Sequence, residues 1–214
     1  MRNKIKNFIF DMGNVIIEFD VDLFLDRAGI FDPEDRKILR KEVYYSELWP
    51  GMDLGLLDEP QMCEILKDRL PEHLWPKIGE LVMGWCDPLI EIEGISGLVR
   101  ELKDKGYGIY LLSNASRKQK EYWKNVSCCD CFDGTVVSAF EGVKKPDERI
   151  YRILLERYGL NVDECMFIDD VEDNVEAAGN MGMETFLFDS DEPEKLREYI
   201  EASVFEKEMQ AILQ

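Results

Sequence analysis

Ile5-Lys6-Asn7-Phe8-Ile9-Phe10-Asp11-Met12-Gly13-Asn14 is a short apolar run that stops at an acid and a glycine-asparagine pair. The run predicts a buried strand over residues 5–10, and the four residues after it predict a turn. Three later strands end in the same way. Residues 108–112 stop at Ser113-Asn114, a strand over 135–138 precedes Lys144-Lys145-Pro146, and residues 164–168 stop at Asp169-Asp170. A last strand is predicted over 185–188. Between them lie helical patterns. Residues 92–105 place Ile92, Ile95, Leu98, Val99 and Leu102 on one face before Gly106. Further helices are predicted over 116–125, over 147–158 between Pro146 and Gly159, over 172–181, and from 194 onward. Strand and helix in alternation predict a parallel sheet with right-handed crossovers.

One segment breaks the alternation. From about residue 21 to residue 85 strand signals are weak and apolar residues recur at helical intervals, as in Leu23, Phe24 and Ala28 and later Leu66, Leu70 and Leu74. The Pro50-Gly51 pair and Pro60, Pro71 and Pro76 are expected to cut this stretch into short helices. The resulting fold class is α/β, a Rossmann-like parallel sheet flanked by helices. Residues 1–17 and 90–214 form the core, and a small helical cap, 18–89, is inserted after the first strand. An insertion there hangs over the carboxyl ends of the strands, where open α/β sheets bind ligands, so it is a candidate lid.

The 214 residues are 45% hydrophobic and 33% charged, enough apolar material for a buried core. Lys plus Arg number 26 against 45 Asp plus Glu, a net charge of −19 that disfavours nucleic acid and anionic membrane surfaces as partners. Arg2, Lys4 and Lys6 precede apolar residues, but Asp11 interrupts too soon for a signal peptide, and no apolar run is long enough to cross a membrane. Of six cysteines only Cys128, Cys129 and Cys131 cluster, without a second pair or a nearby histidine to complete a zinc site. Reduced thiols in a cytoplasmic protein are the expectation. The oligomeric state is not legible.

Parallel strands bring their carboxyl ends to one edge, so Asp11, Ser113-Asn114, Lys144-Lys145 and Asp169-Asp170 should converge. Two carboxylates about 4 Å apart repel by roughly 4 kcal/mol at an effective dielectric near 20. Such a cluster must take up protons or hold a cation, and all-oxygen ligation with few carboxylates suits Mg²⁺. The alternative for Asp169 or Asp170 is a helix N-cap at Glu172.

Phe10-Asp11-Met12-Gly13-Asn14-Val15, Leu112-Ser113-Asn114, Lys145-Pro146-Asp147 and Asp169-Asp170 followed by Asn174 resemble, in order and spacing, the four motifs of the haloacid dehalogenase-like hydrolases. The wording around Gly13-Asn14-Val15 is most similar to the branch of α-D-glucose-1-phosphate phosphatases and epoxide-hydrolase phosphatase domains, whose cap corresponds to the helical insertion. The resemblance implies a hydrolase that cleaves a small phosphorylated metabolite through an aspartyl-phosphate. Asp11 would be the nucleophile. Mg²⁺ would be held by Asp11, the Gly13 carbonyl and Asp170, with Asn174 acting through water. Ser113, Asn114 and Lys145 would bind the phosphate, Lys145 also restraining Asp11.

The sequence departs from the family at Gly13, where phosphatases usually carry a second Asp as general acid and base. Glu18, Asp20 and Asp53 are candidate replacements. A leaving group that needs little protonation, such as a sugar C1 phosphate, is the other way out. Trp49, Met52, Trp75 and Trp85 read first as packing, with Trp49 to Asp53 also able to meet a substrate. Arg117 is placed to touch a second anionic group or to sit in solvent. Two other functions stay open: a dehalogenase, in which the same Asp attacks carbon, and a catalytically silent phosphate-binding protein.

Overall fold

A computed structural model describes residues 5–205. Arg2, Lys4 and any part of the terminal helix beyond residue 205 lie outside that range.

Five parallel strands form one sheet: β1 (Asn7–Phe10), β2 (Gly108–Ser113), β3 (Gly134–Val137), β4 (Cys165–Asp169) and β5 (Glu184–Leu187), in the order β3-β2-β1-β4-β5. Phe8, Ile9 and Phe10 are fully buried, as are Met166, Phe167 and Ile168 of β4, because helices cover both faces of the sheet centre. Chain order reverses beside β1, the central strand, so a crevice opens at the carboxyl ends of β1, β2 and β4, the position where such sheets bind ligands.

The helices after β1 are α1 (Val21–Arg27), α2 (Pro33–Leu39), α3 (Leu48–Asp53), α4 (Glu59–Arg69) and α5 (Trp75–Met83). They have an apolar cluster of their own, including Phe24, Leu25, Leu39, Met62, Leu66 and Val82. Prolines start these helices more often than they cut them. Pro33, Pro60 and Pro76 occupy the first or second position of α2, α4 and α5, where a missing N–H costs nothing. Pro50 sits third in α3, so the Pro50-Gly51 pair lies within a helix. Asp58 and Gln61 close a capping box on α4.

The remaining helices are α6 (Ile95–Asp104), α7 (Gln119–Tyr122), α8 (Ser138–Glu141), α9 (Glu148–Tyr158), α10 (Glu172–Met181) and α11 (Glu194–Ile200). The helix expected over 116–125 shrinks to α7 and a 3₁₀ turn, because the Ser116 hydroxyl accepts the Lys118 N–H and starts a turn. The short helix α8, absent from the sequence reading, follows β3 and ends at Gly142 in the left-handed conformation. Glu91 and Ser127 tie the segment before α6 to the loop after α7, with Ser127 N–H and Oγ both 2.7 Å from the Glu91 carboxylate. Among the described residues no helix is long and apolar enough to cross a membrane.

Candidate active site

Asp11 leaves β1 with its N–H still bonded to the Ile168 carbonyl (2.9 Å), so the ladder with β4 carries its carboxyl group to the sheet edge. Lys145 arrives from the loop between α8 and α9. Its N–H donates to Asn114 Oδ1 (2.9 Å) and its carbonyl accepts from Asn114 Nδ2 (3.0 Å). Asn114, at the end of β2, therefore spends its side chain on holding the lysine loop, while the residue still lines the cavity above.

The Lys145 side chain is wholly buried, with Nζ 2.7 Å from Asp11 Oδ1 and 2.6 Å from Asp169 Oδ2. Burial works against its charge, but the two carboxylates outweigh that and raise its pKa. Asp169 is saturated. Its Oδ1 accepts the Val171 N–H (2.8 Å), and the Asn174 amide donates to both oxygens at 3.0 and 3.1 Å. Neither Asp169 nor Asp170 is the N-cap of α10; Val171 holds that place. Asn174, for which the resemblance implies a role at the metal through water, is held by these bonds to Asp169.

Asp170 accepts from Asn14 Nδ2 at 3.1 Å, and Asn14 Oδ1 accepts the Phe19 N–H at 2.9 Å. Asn14 has φ 53° and is the one non-glycine among the described residues with positive φ. Asparagine tolerates that conformation better than most side chains, so the turn can deliver its amide to Asp170. Residue type and spacing alone assign Asn14 no role. Its signal was the Gly13-Asn14 pair, a turn marker.

One ligand oxygen each from Asp11, Asp169 and Asp170 lies within 4.8 Å of the others. Burial lifts Asp11 to about 7, with Lys145 pulling it down and Asp169 pushing it up. Burial also raises Asp170, against the Asn14 amide. With Asp169 committed to Lys145 and Asn174, Asp11 and Asp170 remain as carboxylate donors, and a hard divalent cation fits that set. Ser113 Oγ is buried without a hydrogen-bond partner, alone in this among side-chain N and O atoms of the described residues. An unpaired buried hydroxyl costs roughly 1–3 kcal/mol, and a phosphate oxygen at the strand edge would relieve it.

Above this edge is a cavity of about 220 Å³, shared by Asp11, Gly13, Asn114 and Asp170 with apolar side chains of the helical segment. Phe19, Trp49 and Trp85 form its wall, with ring centroids 5.2 to 6.2 Å apart, and Trp85 continues to Tyr122 at 5.3 Å. Trp49, Met52 and Trp85 thus pack and line the cavity at once, whereas Trp75 is 40% exposed with Nε1 on the Leu70 carbonyl. Arg117 does not line this cavity and donates to the Gly55 carbonyl at 3.0 Å.

Known proteins resemble this chain to different depths. A sesquiterpene phosphatase (astK) of Aspergillus oryzae is 34% identical over 185 residues, covering 83% of this chain and 87% of that protein. A glyceraldehyde 3-phosphate phosphatase of Pyrococcus abyssi is 27% identical over 193 residues, covering 86% and 81%. Among solved structures, a HAD family enzyme (bt-2542) of Bacteroides thetaiotaomicron, crystallised with magnesium and inorganic phosphate, superposes with a TM-score of 0.66 at 23% identity, over 87% of this chain and 95% of that one. At that identity the likeness establishes the fold. Residues 5–182 match the family model of the haloacid dehalogenase-like hydrolases, which takes in all four strand-end motifs. With that match, a five-stranded sheet of the same fold and a relative at 34% identity along most of its length, the chain belongs to the haloacid dehalogenase-like hydrolase family.

Proposed function

We propose that the chain is a magnesium-dependent phosphatase of a small phosphorylated metabolite, working through an aspartyl-phosphate on Asp11, with residues 18–89 capping the core. The observation that carries this reading is Lys145 Nζ wedged between Asp11 and Asp169, with Asp170 beside them at the mouth of a walled cavity. The relatives named as phosphatases support it.

Asp11, Asp170 and the Gly13 carbonyl would hold Mg²⁺, which when bound offsets charge on the phosphate oxygens. The chain's own residues do the rest. Lys145 fixes the Asp11 carboxylate for in-line attack and faces the charge that develops on the transferring group. Asp169 keeps Lys145 in place and charged. Ser113 Oγ donates to a phosphate oxygen, and Asn114 holds the lysine loop in register.

A sugar C1 phosphate, the substrate to which the sequence points, would set hydroxyl groups against Phe19, Trp49, Met52, Val82 and Trp85. Glu59 and Ser116, two of the polar groups on the wall, are bonded to each other. This lining favours a leaving group with an apolar face, in keeping with the similarity to a sesquiterpene phosphatase. The test is phosphate release from 4-nitrophenyl, benzyl and isoprenyl phosphates and glucose 1-phosphate and 6-phosphate, with Mg²⁺ or with EDTA. Activity lost in EDTA and in Asp11→Asn is expected, with the apolar esters ahead. Equal inertness of wild type and Asp11→Asn defeats the phosphatase reading. Hydrolysis of a haloacid that survives EDTA would replace it with a dehalogenase.

A further inference from the structure

With glycine at position 13, two residues after the nucleophile, that position supplies no proton donor for the departing oxygen. Three carboxylates compete for that work, and their surroundings separate them. Asp20 caps α1, its Oδ1 accepting the N–H groups of Asp22 (2.8 Å) and Leu23 (3.3 Å). Glu18 lies between Ile17 and Phe19, both of which line the cavity, but does not line it itself. Asp53, the last residue of α3, lines the same cavity as Asp11.

The Asp53 side chain makes no hydrogen bond or ion pair among the described residues. The charged groups that act on it are Lys144 and Lys145, and Lys145 is the lysine in contact with Asp11. Glu59 of α4 and Tyr122 of α7 also face the cavity. Glu59 is occupied by the Ser116 hydroxyl, and burial pushes the Tyr122 phenol far above its ordinary range, so neither matches Asp53 as a free acid. Burial lifts Asp53 itself to about 7, against the two lysines, which lets it carry a proton at neutral pH and return it.

Its position is fixed by the turn that follows. Gly55 has φ +68°, and a Cβ there would lie 2.3 Å from the Ala139 carbonyl oxygen. The turn is therefore seated directly on α8, and Arg117 clasps the Gly55 carbonyl from the β2 side. A side chain two residues away cannot drift far from the strand ends.

We propose that Asp53 is the general acid and base of this active site, a role that rests on the phosphatase reading above. As an Asp11 oxygen bonds to phosphorus and the ester P–O bond breaks, the bonding pair leaves with the ester oxygen. The Asp53 proton goes to that oxygen, and the alcohol departs. In the second step a water oxygen bonds to phosphorus and the Asp11–phosphorus bond breaks, its pair returning to the carboxylate. The water proton goes to Asp53, which restores the acid and releases inorganic phosphate.

The test compares kcat/KM for benzyl phosphate, whose alkoxide needs a proton, with that for 4-nitrophenyl phosphate, whose phenolate leaves without one. Both are measured on the full chain with Mg²⁺ for wild type, Asp53→Asn and Asp53→Ser. Loss of a general acid lowers the benzyl value about 10²–10⁴-fold and is expected to leave the nitrophenyl value within about tenfold. The ratio of the two values within one preparation does not depend on the fraction folded, so partial misfolding cannot imitate the result. A parallel fall on both substrates, or none on benzyl phosphate, in both variants overturns the assignment. A wild type inert on both esters, with no phosphate transferred to Asp11, overturns the phosphatase reading and this role with it.

Discussion

Replacing Lys145 by methionine keeps the stem and removes the charge, and the structure sets what that should cost. Among the described residues the ammonium is the one cation in contact with both Asp11 and Asp169, whose ligand oxygens lie within 4.8 Å of each other in a buried site. Two unit charges at that distance repel by roughly 3–4 kcal/mol at an effective dielectric near 20. Independent experience with broken buried pairs gives about 3–5 kcal/mol. Against a typical stability of about 5–15 kcal/mol the loss is large. For a chain of this size it corresponds to a fall in Tm of about 6–20 °C. The assay is thermal unfolding by circular dichroism in a chelator, on wild type, Lys145→Met, Asp169→Asn and the double variant. The double variant removes one of the two stranded charges, so it should be more stable than the sum of the single losses by about 1–3 kcal/mol. A Lys145→Met variant within about 1 kcal/mol of wild type, or strict additivity around the cycle, would refute the claim that this lysine neutralises both acids at once.

Three further outcomes are expected. Because burial raises Asp53 to about 7 from an ordinary 3.8, the folded chain binds that proton more tightly than the unfolded chain. Its contribution therefore falls as pH rises from about 4 to about 7. Asp53→Asn removes that slope, and a stability gain on the order of 1–3 kcal/mol at pH 8 should shrink at pH 5. Denaturant titrations at the two pH values check this, and a gain that is constant or larger at pH 5 contradicts it. Gly55→Ala forces a Cβ into the left-handed region against the Ala139 carbonyl. It should cost about 2–4 kcal/mol and lower kcat/KM for benzyl phosphate more than for 4-nitrophenyl phosphate; an equal effect on the two would disconnect the turn from Asp53. Trp49→Ala opens the aromatic wall but leaves the phosphate edge intact, so KM for benzyl phosphate should rise about tenfold. The inhibition constant of inorganic phosphate should stay within about twofold, and a matching rise in both would place Trp49 in the phosphate site.

The strands and the chemistry at their ends were legible because both are local. β1 and β4 are buried on both faces, so each reads as an unbroken apolar run, and an acid at the end of such a run has no packing reason to be there. Helices with strong terminal signals were equally plain: α9 lies between its Asp147 cap and Gly159, and α10 was bounded to the residue. Short elements were not. α7 and α8 have four residues each, too few for periodicity to show, and neither has a side-chain cap to mark its start; what anchors α8 is a contact distant in sequence, Ser138 Oγ accepting the Ala115 N–H. Within the site, spacing could not tell Asp169 from Asp170. Their difference comes from pairs far apart in sequence. Asn174 and Lys145 claim Asp169 while Asn14, 156 residues away, claims Asp170. Nor could it tell that Asn114 serves the backbone of Lys145, or that Trp49 and Trp85 stand over Asp11.

The apolar wall and the Asp53 acid are a single physical arrangement. The largest influence on that carboxyl group is its burial, and Phe19, Trp49, Met52, Val82 and Trp85 form the apolar wall of the cavity it faces. A polyol pocket with charged and amide groups around the same position would solvate the carboxylate and return it toward its ordinary range, leaving little protonated acid at neutral pH. A surface that welcomes an apolar leaving group thus also keeps Asp53 able to protonate that group, whose alkoxide is too basic to leave alone. An aspartate at position 13, two residues after Asp11, would put the acid on the core and free the apolar wall from that task. Here the glycine at that position ties the proton to the wall of α3, so substrate choice and proton transfer have to change together.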